Sequence, residues 1–230
     1  MGNYSPNKQT VICFPFAGGY SVSFSNLSRY LNNQLNVIAI EPPGHGTNRL
    51  PLIDDIEELI DLYIEKLDDF LKDDVILFGH SMGGFIVFRL VQKLEKMNIT
   101  PRMAFLSACS PPHLKFKKVS HLSNKEFIDY LVELGGISQE LLEEKELLDF
   151  FLPVIRADFK AIETFQPLED ISLSTRVHIL NGKLDHKHFN QFSEWEHWLN
   201  NYKIHEIDGA HMFINSHPEQ VSNTILSELQ

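Results

Sequence analysis

The stretch that decides the fold is Val75–Gly84, VILFGHSMGG, in which an apolar run leads into Gly-x-Ser-x-Gly with Ser81 at its centre. The apolar run before the motif and the helical pattern after it predict a sharp strand-to-helix turn. Glycines flank such a turn because a Cβ there would clash with the neighbouring strand or helix. The N-terminus of the helix favours the negative charge that an attacking serine creates. The motif therefore indicates a nucleophilic serine, and the alternative is an accidental glycine-serine turn.

Composition limits the kind of protein this is. The chain has 230 residues, is 43% hydrophobic and carries a formal charge of −11, which suits one domain over residues 1–230 and argues against nucleic acid as a partner. No apolar run could span a bilayer and no secretory signal is recognisable, so we expect a cytoplasmic protein without a membrane partner. We also expect a monomer. Cys13 and Cys109 lie in strand-like apolar runs and are expected to be buried, reduced thiols.

Strand-like runs alternate with helical patterns along most of the chain. The predicted strands are Thr10–Phe14, Val37–Ile40, Val75–Phe78, Met103–Ala108, Val177–Leu180 and Lys203–Ile207. Helical spacing runs from Ile56 to Phe70, with a capping box predicted at Asp55 and Glu58, and resumes after Ser81. The alternation predicts an α/β fold with a mostly parallel central sheet and helices on both faces. Ligands of such sheets bind beyond the carboxyl ends of the strands, where Ser81 falls.

One insertion, at approximately residues 110–167, breaks the alternation. Ser123 and Glu126 predict a capping box for a helix that ends at Gly135-Gly136. A second helical region runs from Leu147 to Phe165, and we expect Pro153 to interrupt it. These apolar helices predict a helical lid over the catalytic edge of the sheet, and the alternative is that they extend the core.

A serine nucleophile needs a base, and the base needs an orienting acid. In this kind of fold the chain order is serine, acid, histidine, and each partner follows a strand. Asp185 follows the predicted strand Val177–Leu180, and His211 follows the last strand. We therefore predict Ser81, Asp185 and His211 as the catalytic residues.

Other histidines and acids fit less well. The side chain of His80 should leave the turn in another direction, and His217 precedes Pro218 at the start of the final helix. Asp208 lies too near His211 in the chain to be the first choice. His186 and His188 could suggest a metal site, but no further ligands gather around them in the sequence. We predict neither a metal nor a cofactor.

The tetrahedral intermediate needs two hydrogen-bond donors. One should be the backbone N–H of Met82, the residue after the nucleophile. The other should come from the loop after the first strand, and we assign it to the N–H of Ala17, with Phe16 as the alternative. Gly18-Gly19 could instead form a phosphate-binding turn, but no Lys-Ser/Thr pair follows.

Five segments together resemble the type II thioesterases of non-ribosomal peptide and polyketide synthesis, which are stand-alone α/β hydrolases. The segments are FPFAGG, EPPGHGTNR at Glu41–Arg49, GHSMGG, the GKLD turn and GAHMF. The resemblance covers nearly the whole chain in the right order. It implies that the chain hydrolyses acyl groups from the phosphopantetheine arm of a carrier protein. The acyl-carrying carrier protein would then be both its partner and its substrate. It also implies a lid, the triad Ser81, Asp185 and His211, and an oxyanion hole formed by the amides of Ala17 and Met82.

The chain departs from that family in one segment. Where the family commonly has a Pro-Gly-Arg-Gly-like sequence, this chain has Pro43-Gly44-His45-Gly46, and we expect Arg49 to retain the positive charge nearby. A small basic patch, Lys115, Lys117 and Lys118 around Phe116, could dock the acidic carrier or could be a solvated loop. Alternative functions are a generalist acyl-CoA thioesterase, a carboxylesterase and a non-catalytic binding protein.

Overall fold

Parallel strands form one six-stranded sheet in the order β2-β1-β3-β4-β5-β6. The computed structural model describes residues 4–114, 117–137, 139–166, 173–185 and 194–229. The strands are β1 (Thr10–Phe14), β2 (Asn36–Ala39), β3 (Ile76–His80), β4 (Met103–Ser107), β5 (Val177–Gly182) and β6 (Tyr202–Ile207). Each predicted strand is present, with bounds that move by up to two residues at either end.

Helices cover both faces of the sheet, as predicted. They are α1 (Ser25–Leu31), α2 (Ile56–Lys66), α3 (Met82–Lys96), α4 (Asn124–Glu133), α5 (Gln139–Glu143), α6 (Lys145–Thr164), α7 (Phe213–Ser216) and α8 (Pro218–Glu228). Side chains of a strand alternate between faces, so Leu77 belongs to the apolar cluster under α2 and α3, whereas Ile76 and Phe78 belong to the cluster under α1 and α8. Burial on both faces explains the continuous apolar runs in the sequence.

Helix α2 is shorter than its apolar spacing predicts. Asp55 caps its start by accepting hydrogen bonds from the amides of Glu57 and Glu58 at 2.9 and 3.1 Å. The helix ends at Lys66, so the extension to Phe70 is wrong, and Phe70 is an exposed residue. Asp68 and Asp69 follow the C-cap residue Leu67, and negative charge is unfavourable at the C-terminus of a helix.

The insertion between β4 and β5 contains the helices α4, α5 and α6, and its described residues between 110 and 166 include no strand. The capping box of Ser123 and Glu126 is confirmed at the start of α4. The predicted interruption at Pro153 is wrong, because α6 continues through it. Pro153 and Asp149, whose carbonyl loses its helical partner, are both exposed, so water can replace the missing bond.

The insertion packs partly on itself and partly on the sheet. Its own apolar cluster contains Val119, Phe127, Leu131, Ile137, Leu148, Leu152 and Ile155. Ala161, Ile162 and Phe165, at the end of α6, belong instead to the cluster under α2 and α3. The insertion is therefore a separate layer that is anchored to the core by the last turn of α6.

Cys13 and Cys109 are free and buried, and burial raises the pKa of both thiols. Among the described residues, no helix combines the length and apolarity needed to cross a bilayer.

Candidate active site

Ser81 occupies the turn between β3 and α3 in a strained backbone conformation, with φ 54° and ψ −113°. A Cβ on Gly79 would lie 1.9 Å from the carbonyl oxygen of Gly83. A Cβ on Gly83 would lie 2.0 Å from the carbonyl oxygen of Phe14. Only glycine allows the ends of β1 and β3 to approach α3 this closely, so the turn has the close packing that the motif predicts.

Asp185 and His211 meet Ser81 at the carboxyl edge of the sheet. The Nε2 atom of His211 lies 3.0 Å from Ser81 Oγ, and its Nδ1 atom lies 2.7 Å from Asp185 Oδ2. Because a carboxylate accepts only, Nδ1 carries the proton that it donates to Asp185, which leaves Nε2 free to accept from the serine hydroxyl. The side chains of Asp185 and His211 are almost fully buried. This arrangement can remove a proton from Ser81 and hold the resulting imidazolium.

The loops that carry the acid and the base are hydrogen-bonded to each other. Asp185 closes a tight turn after β5, since its amide donates to the carbonyl of Gly182 at 2.9 Å. The amide of Leu184 donates to the carbonyl of Gly209, two residues before His211, at 2.9 Å. The parallel pairing of β5 and β6 therefore continues into the two loops and fixes the carboxylate against the imidazole.

The histidines and acids weighed as alternatives to His211 and Asp185 have other neighbours. His217 is half-buried at the start of α8, with Nδ1 2.8 Å from Ser216 Oγ. Asp208 is exposed and forms an ion pair with Lys183 at 2.7 Å. His186 and His188 lie outside the described residues.

The two loops assigned to the oxyanion hole follow neighbouring strands. Phe14 of β1 pairs with Gly79 of β3. Ala17 lies three residues after Phe14, and Met82 lies three residues after Gly79, so the two loops leave the sheet side by side. The amide of Gly19 donates to the carbonyl of Phe16 at 2.8 Å, which closes a turn with Ala17 in its first central position. Met82 is the first residue of α3, where helix amides have no partner within the helix. Both loops can therefore present amides to an oxyanion next to Ser81.

His80 is a buried supporting residue for which sequence reasoning found no role. Its Nε2 atom donates to the carbonyl oxygen of His211 at 3.0 Å. Its Nδ1 atom lies 2.8 Å from Ser107 Oγ and accepts from that hydroxyl. The side chain does leave the turn away from the Ser81 hydroxyl, and it holds the backbone of the candidate base.

A second buried network, also missed from the sequence, lies behind the loop of Ala17. Asp158 Oδ2 accepts from the amide of Gly18 at 2.6 Å and lies 2.9 Å from His45 Nε2. Burial alone lowers the pKa of His45, but the hydrogen bond and charge of Asp158 outweigh burial, and the pKa is raised above its ordinary value. Arg49, which was expected to retain positive charge near this segment, is exposed, and that expectation stays a prediction.

The sequence did contain a signal for Asp158. Buried apolar residues of α6 recur at helical spacing, and Asp158 occupies a position in this stripe between Ile155 and Ile162. A carboxylate on the buried face of a helix requires a partner. The partner could not be named without knowing which loop the helix covers.

One side-chain cluster among the described residues has metal-ligand chemistry. His178, His205 and Glu228 offer ligand atoms within 4.8 Å of one another, and they lie on β5, β6 and α8. The carboxylate of Glu228 already pairs with Arg176 at 2.9 Å and with Lys203 at 2.8 Å. A divalent cation would meet both of these positive charges, so we assign no metal to the cluster.

The chain is similar in sequence to known thioesterases over almost its whole length. The family model described as "Thioesterase domain" matches residues 9–229. Thioesterase PikA5 of Streptomyces venezuelae is 27% identical over 98% of this chain and 83% of its own length. Phenyloxazoline synthase MbtB of Mycobacterium tuberculosis is 25% identical, and the chain spans only 16% of the length of that relative.

Solved structures give the same result for the fold. The type II thioesterase BorB from the borrelidin biosynthetic cluster superposes with a TM-score of 0.88 and 26% identity, covering 98% of this chain and 94% of that one. RedJ, the thioesterase from the prodiginine pathway of Streptomyces coelicolor, gives a TM-score of 0.86 at 25% identity, covering 96% and 89%. Both comparisons cover almost the whole of this chain.

Proposed function

This chain belongs to the thioesterase-domain family, and from that membership we propose that it hydrolyses acyl thioesters on the phosphopantetheine arm of carrier proteins. Such hydrolysis would free arms blocked by a wrong acyl group in non-ribosomal peptide or polyketide synthesis. The observation that carries the proposal is the hydrogen-bonded chain from Ser81 Oγ through His211 to Asp185, at 3.0 and 2.7 Å. It supplies the nucleophile, base and orienting acid that thioester hydrolysis needs.

The first half of the proposed reaction forms an acyl-enzyme. His211 Nε2 takes the proton of Ser81 Oγ as the oxygen attacks the thioester carbonyl. The carbonyl oxygen becomes an oxyanion that accepts hydrogen bonds from the amides of Ala17 and Met82. The carbon–sulfur bond then breaks, and the pantetheine sulfur leaves as a thiol with the proton from His211. Asp185 stabilises the imidazolium throughout this half.

The second half releases the acid. A water molecule gives a proton to His211 Nε2 and attacks the acyl-Ser81 carbonyl, which regenerates the same oxyanion. The ester bond breaks, Ser81 regains the proton, and the carboxylic acid leaves. Loss of one oxyanion donor in sites of this kind costs about 3–4 kcal/mol of barrier, so the two amides are a large part of the proposed rate enhancement.

The insertion is proposed to act as the lid. Its N-terminal part packs on its own apolar cluster, and α6 contacts the turn of Gly18 through Ile155. A layer that is anchored to the core at the end of α6, touches the oxyanion turn and otherwise packs on itself can shield the acyl-enzyme and admit a long pantetheine arm. Monomeric state and cytoplasmic location stay predictions from the sequence.

The test compares hydrolysis of an acetyl-phosphopantetheinyl carrier protein with that of acetyl-CoA, with Ser81→Ala as the blank. We expect a strong preference for the carrier-bound substrate and no turnover by the variant. Equal rates on the two substrates would indicate a generalist acyl-CoA thioesterase. Serine-dependent hydrolysis of oxygen esters alone would indicate a carboxylesterase, and no serine-dependent rate would indicate a binding protein.

A further inference from the structure

The proposed oxyanion turn is held from outside by α6. Gly18 has φ +77°, and with the hydrogen bond from Gly19 to Phe16 this is the geometry of a type II turn. Asp158 accepts from the Gly18 amide, which belongs to the central peptide of the turn, so the carboxylate fixes the orientation of that peptide. Ile155, one helical turn before Asp158, leaves no space at Gly18, where a Cβ would lie 2.7 Å from Ile155 Cγ1.

His45 needs a proton on each ring nitrogen to satisfy its two neighbours. Nδ1 lies 2.9 Å from the carbonyl oxygen of Pro43, and Nε2 lies 2.9 Å from Asp158 Oδ2. Both neighbours are acceptors, and a neutral imidazole has only one N–H. His45 is 3% exposed and Asp158 is 2% exposed, so neither group can turn to water for a replacement. If the His45 ring is an imidazolium, it donates to both the Pro43 carbonyl and the Asp158 carboxylate, and its positive charge balances the buried negative charge.

We propose that His45 and Asp158 are positioning residues for the oxyanion turn, and that they hold this turn in its working form only while His45 is protonated. The inference rests on the proposed function, since it assigns the turn to oxyanion binding. Loss of the His45 proton would remove a donor from either Pro43 or Asp158. The carboxylate would then be buried beside a neutral ring, which favours separation of α6 from the turn and displacement of the Ala17 amide.

The other titratable groups around the pair keep their charge state near neutral and alkaline pH. Hydrogen bonds from Ser21 and Thr47 lower the pKa of Glu41, which stays ionised and favours the imidazolium. Burial raises the pKa of Tyr63 on α2, which therefore stays neutral. His45 is thus the group of this network expected to titrate as the pH rises.

The test follows the pH dependence of two rates in the wild type, His45→Arg and His45→Gln. The rates are kcat/KM for a thioester and the rate at which a fluorophosphonate labels Ser81. In the wild type both rates should fall at alkaline pH. Arginine keeps its charge and several donors at every pH, so His45→Arg should lose the alkaline fall. Glutamine is neutral, so His45→Gln should be about tenfold slower or worse and show no alkaline fall.

Two kinetic results would overturn the proposal: the same alkaline fall in all three proteins, or a wild-type labelling rate in His45→Gln. His217→Gln is the matched control and should behave as the wild type. Nitrogen-15 NMR of the wild-type His45 ring tests the charge even if a variant fails to fold, because a neutral ring at pH 7 would refute the proposal. Fluorophosphonate labelling without thioester hydrolysis would instead refute the proposed function and leave the positioning role testable.

Discussion

His80 donates a hydrogen bond from Nε2 to the carbonyl oxygen of His211 at 3.0 Å, so the residue before the candidate nucleophile holds the backbone of the candidate base. The other ring nitrogen accepts from Ser107 on β4. Through His80, the ends of β3 and β4 are joined to the loop after β6. His80, the neighbour of Ser81 in the chain, therefore supports the loop that carries His211.

Replacement of His80 by leucine should lower both activity and stability. The carbonyl of His211 and the hydroxyl of Ser107 would lose their buried partner, and each unsatisfied group costs about 1–3 kcal/mol. We expect a lower Tm and a kcat that falls more than KM rises, because the base is displaced and the substrate site is not. His217→Leu serves as the control, and an unchanged kcat in His80→Leu would contradict the supporting role.

Asp185→Asn should abolish most activity without unfolding the protein. The amide can stand in the same place, but it cannot stabilise the imidazolium or fix the tautomer, and in such triads the loss is roughly 10⁴-fold in kcat. The measurement is kcat on a small acyl thioester. Asp208→Asn is the matched control, because Asp208 is the exposed acid near His211 and pairs with Lys183. Equal losses in the two variants would remove Asp185 from the triad.

Gly83→Ala should destabilise the fold through one methyl group. The new Cβ would lie 2.0 Å from the carbonyl oxygen of Phe14, so β1 and the start of α3 would have to separate. We expect little folded protein, or a Tm lowered by several degrees with loss of Ser81 labelling. Gly136→Ala is the control, since a Cβ there meets only the Leu131 carbonyl at 3.6 Å. A stable and reactive Gly83→Ala protein would be incompatible with this packing.

His178 should make the protein sensitive to acid. Burial lowers its pKa from the ordinary 6.5 to about 4, so the fold favours the neutral ring, which stacks on Phe105. A pKa lowered in the folded state gives stability that is complete above about pH 6.5 and is lost as the pH falls towards 4. At about 1.4 kcal/mol per pKa unit, this amounts to as much as about 3 kcal/mol.

The measurement is the free energy of unfolding of the wild type and His178→Gln at pH 7 and pH 4. The variant has no titrating ring, so the stability difference between the two proteins should shrink on acidification. His217→Gln provides the comparison with a less buried histidine. A constant difference between pH 7 and pH 4 would show that His178 is not the acid-sensitive group.

Reversal of charge at Lys115, Lys117 and Lys118 tests where a carrier protein docks. Lys117 and Lys118 are exposed at the start of the insertion, and the Lys117 ammonium lies 5.9 Å from the ring centroid of Tyr130. Lys115 and Phe116 lie outside the described residues. Glutamate at the three lysine positions should raise KM for an acyl carrier protein and leave KM for a small thioester unchanged. An equal loss on both substrates would place docking elsewhere.

The sequence by itself determined the sheet, the turn at Ser81 and the order of the candidate triad. These features are local: strands have a two-residue period, helices have a 3.6-residue period, and the turn needs glycines at fixed offsets from the serine. Asp185 and His211 could be chosen because loops after parallel strands gather at one edge of the sheet. Element ends were less well determined, as the early end of α2 shows, because a helix end depends on the charges and packing around it.

Only the tertiary structure decided how the insertion meets the sheet. His45 and Asp158 are 113 residues apart, and Gly18 and Asp158 are 140 apart. Helical periodicity showed that α6 has a buried face, but the loop against which that face packs depends on how whole elements fit together. The charge of His45 follows from the same packing, since two buried acceptors had to be brought to its ring before both nitrogens required a proton.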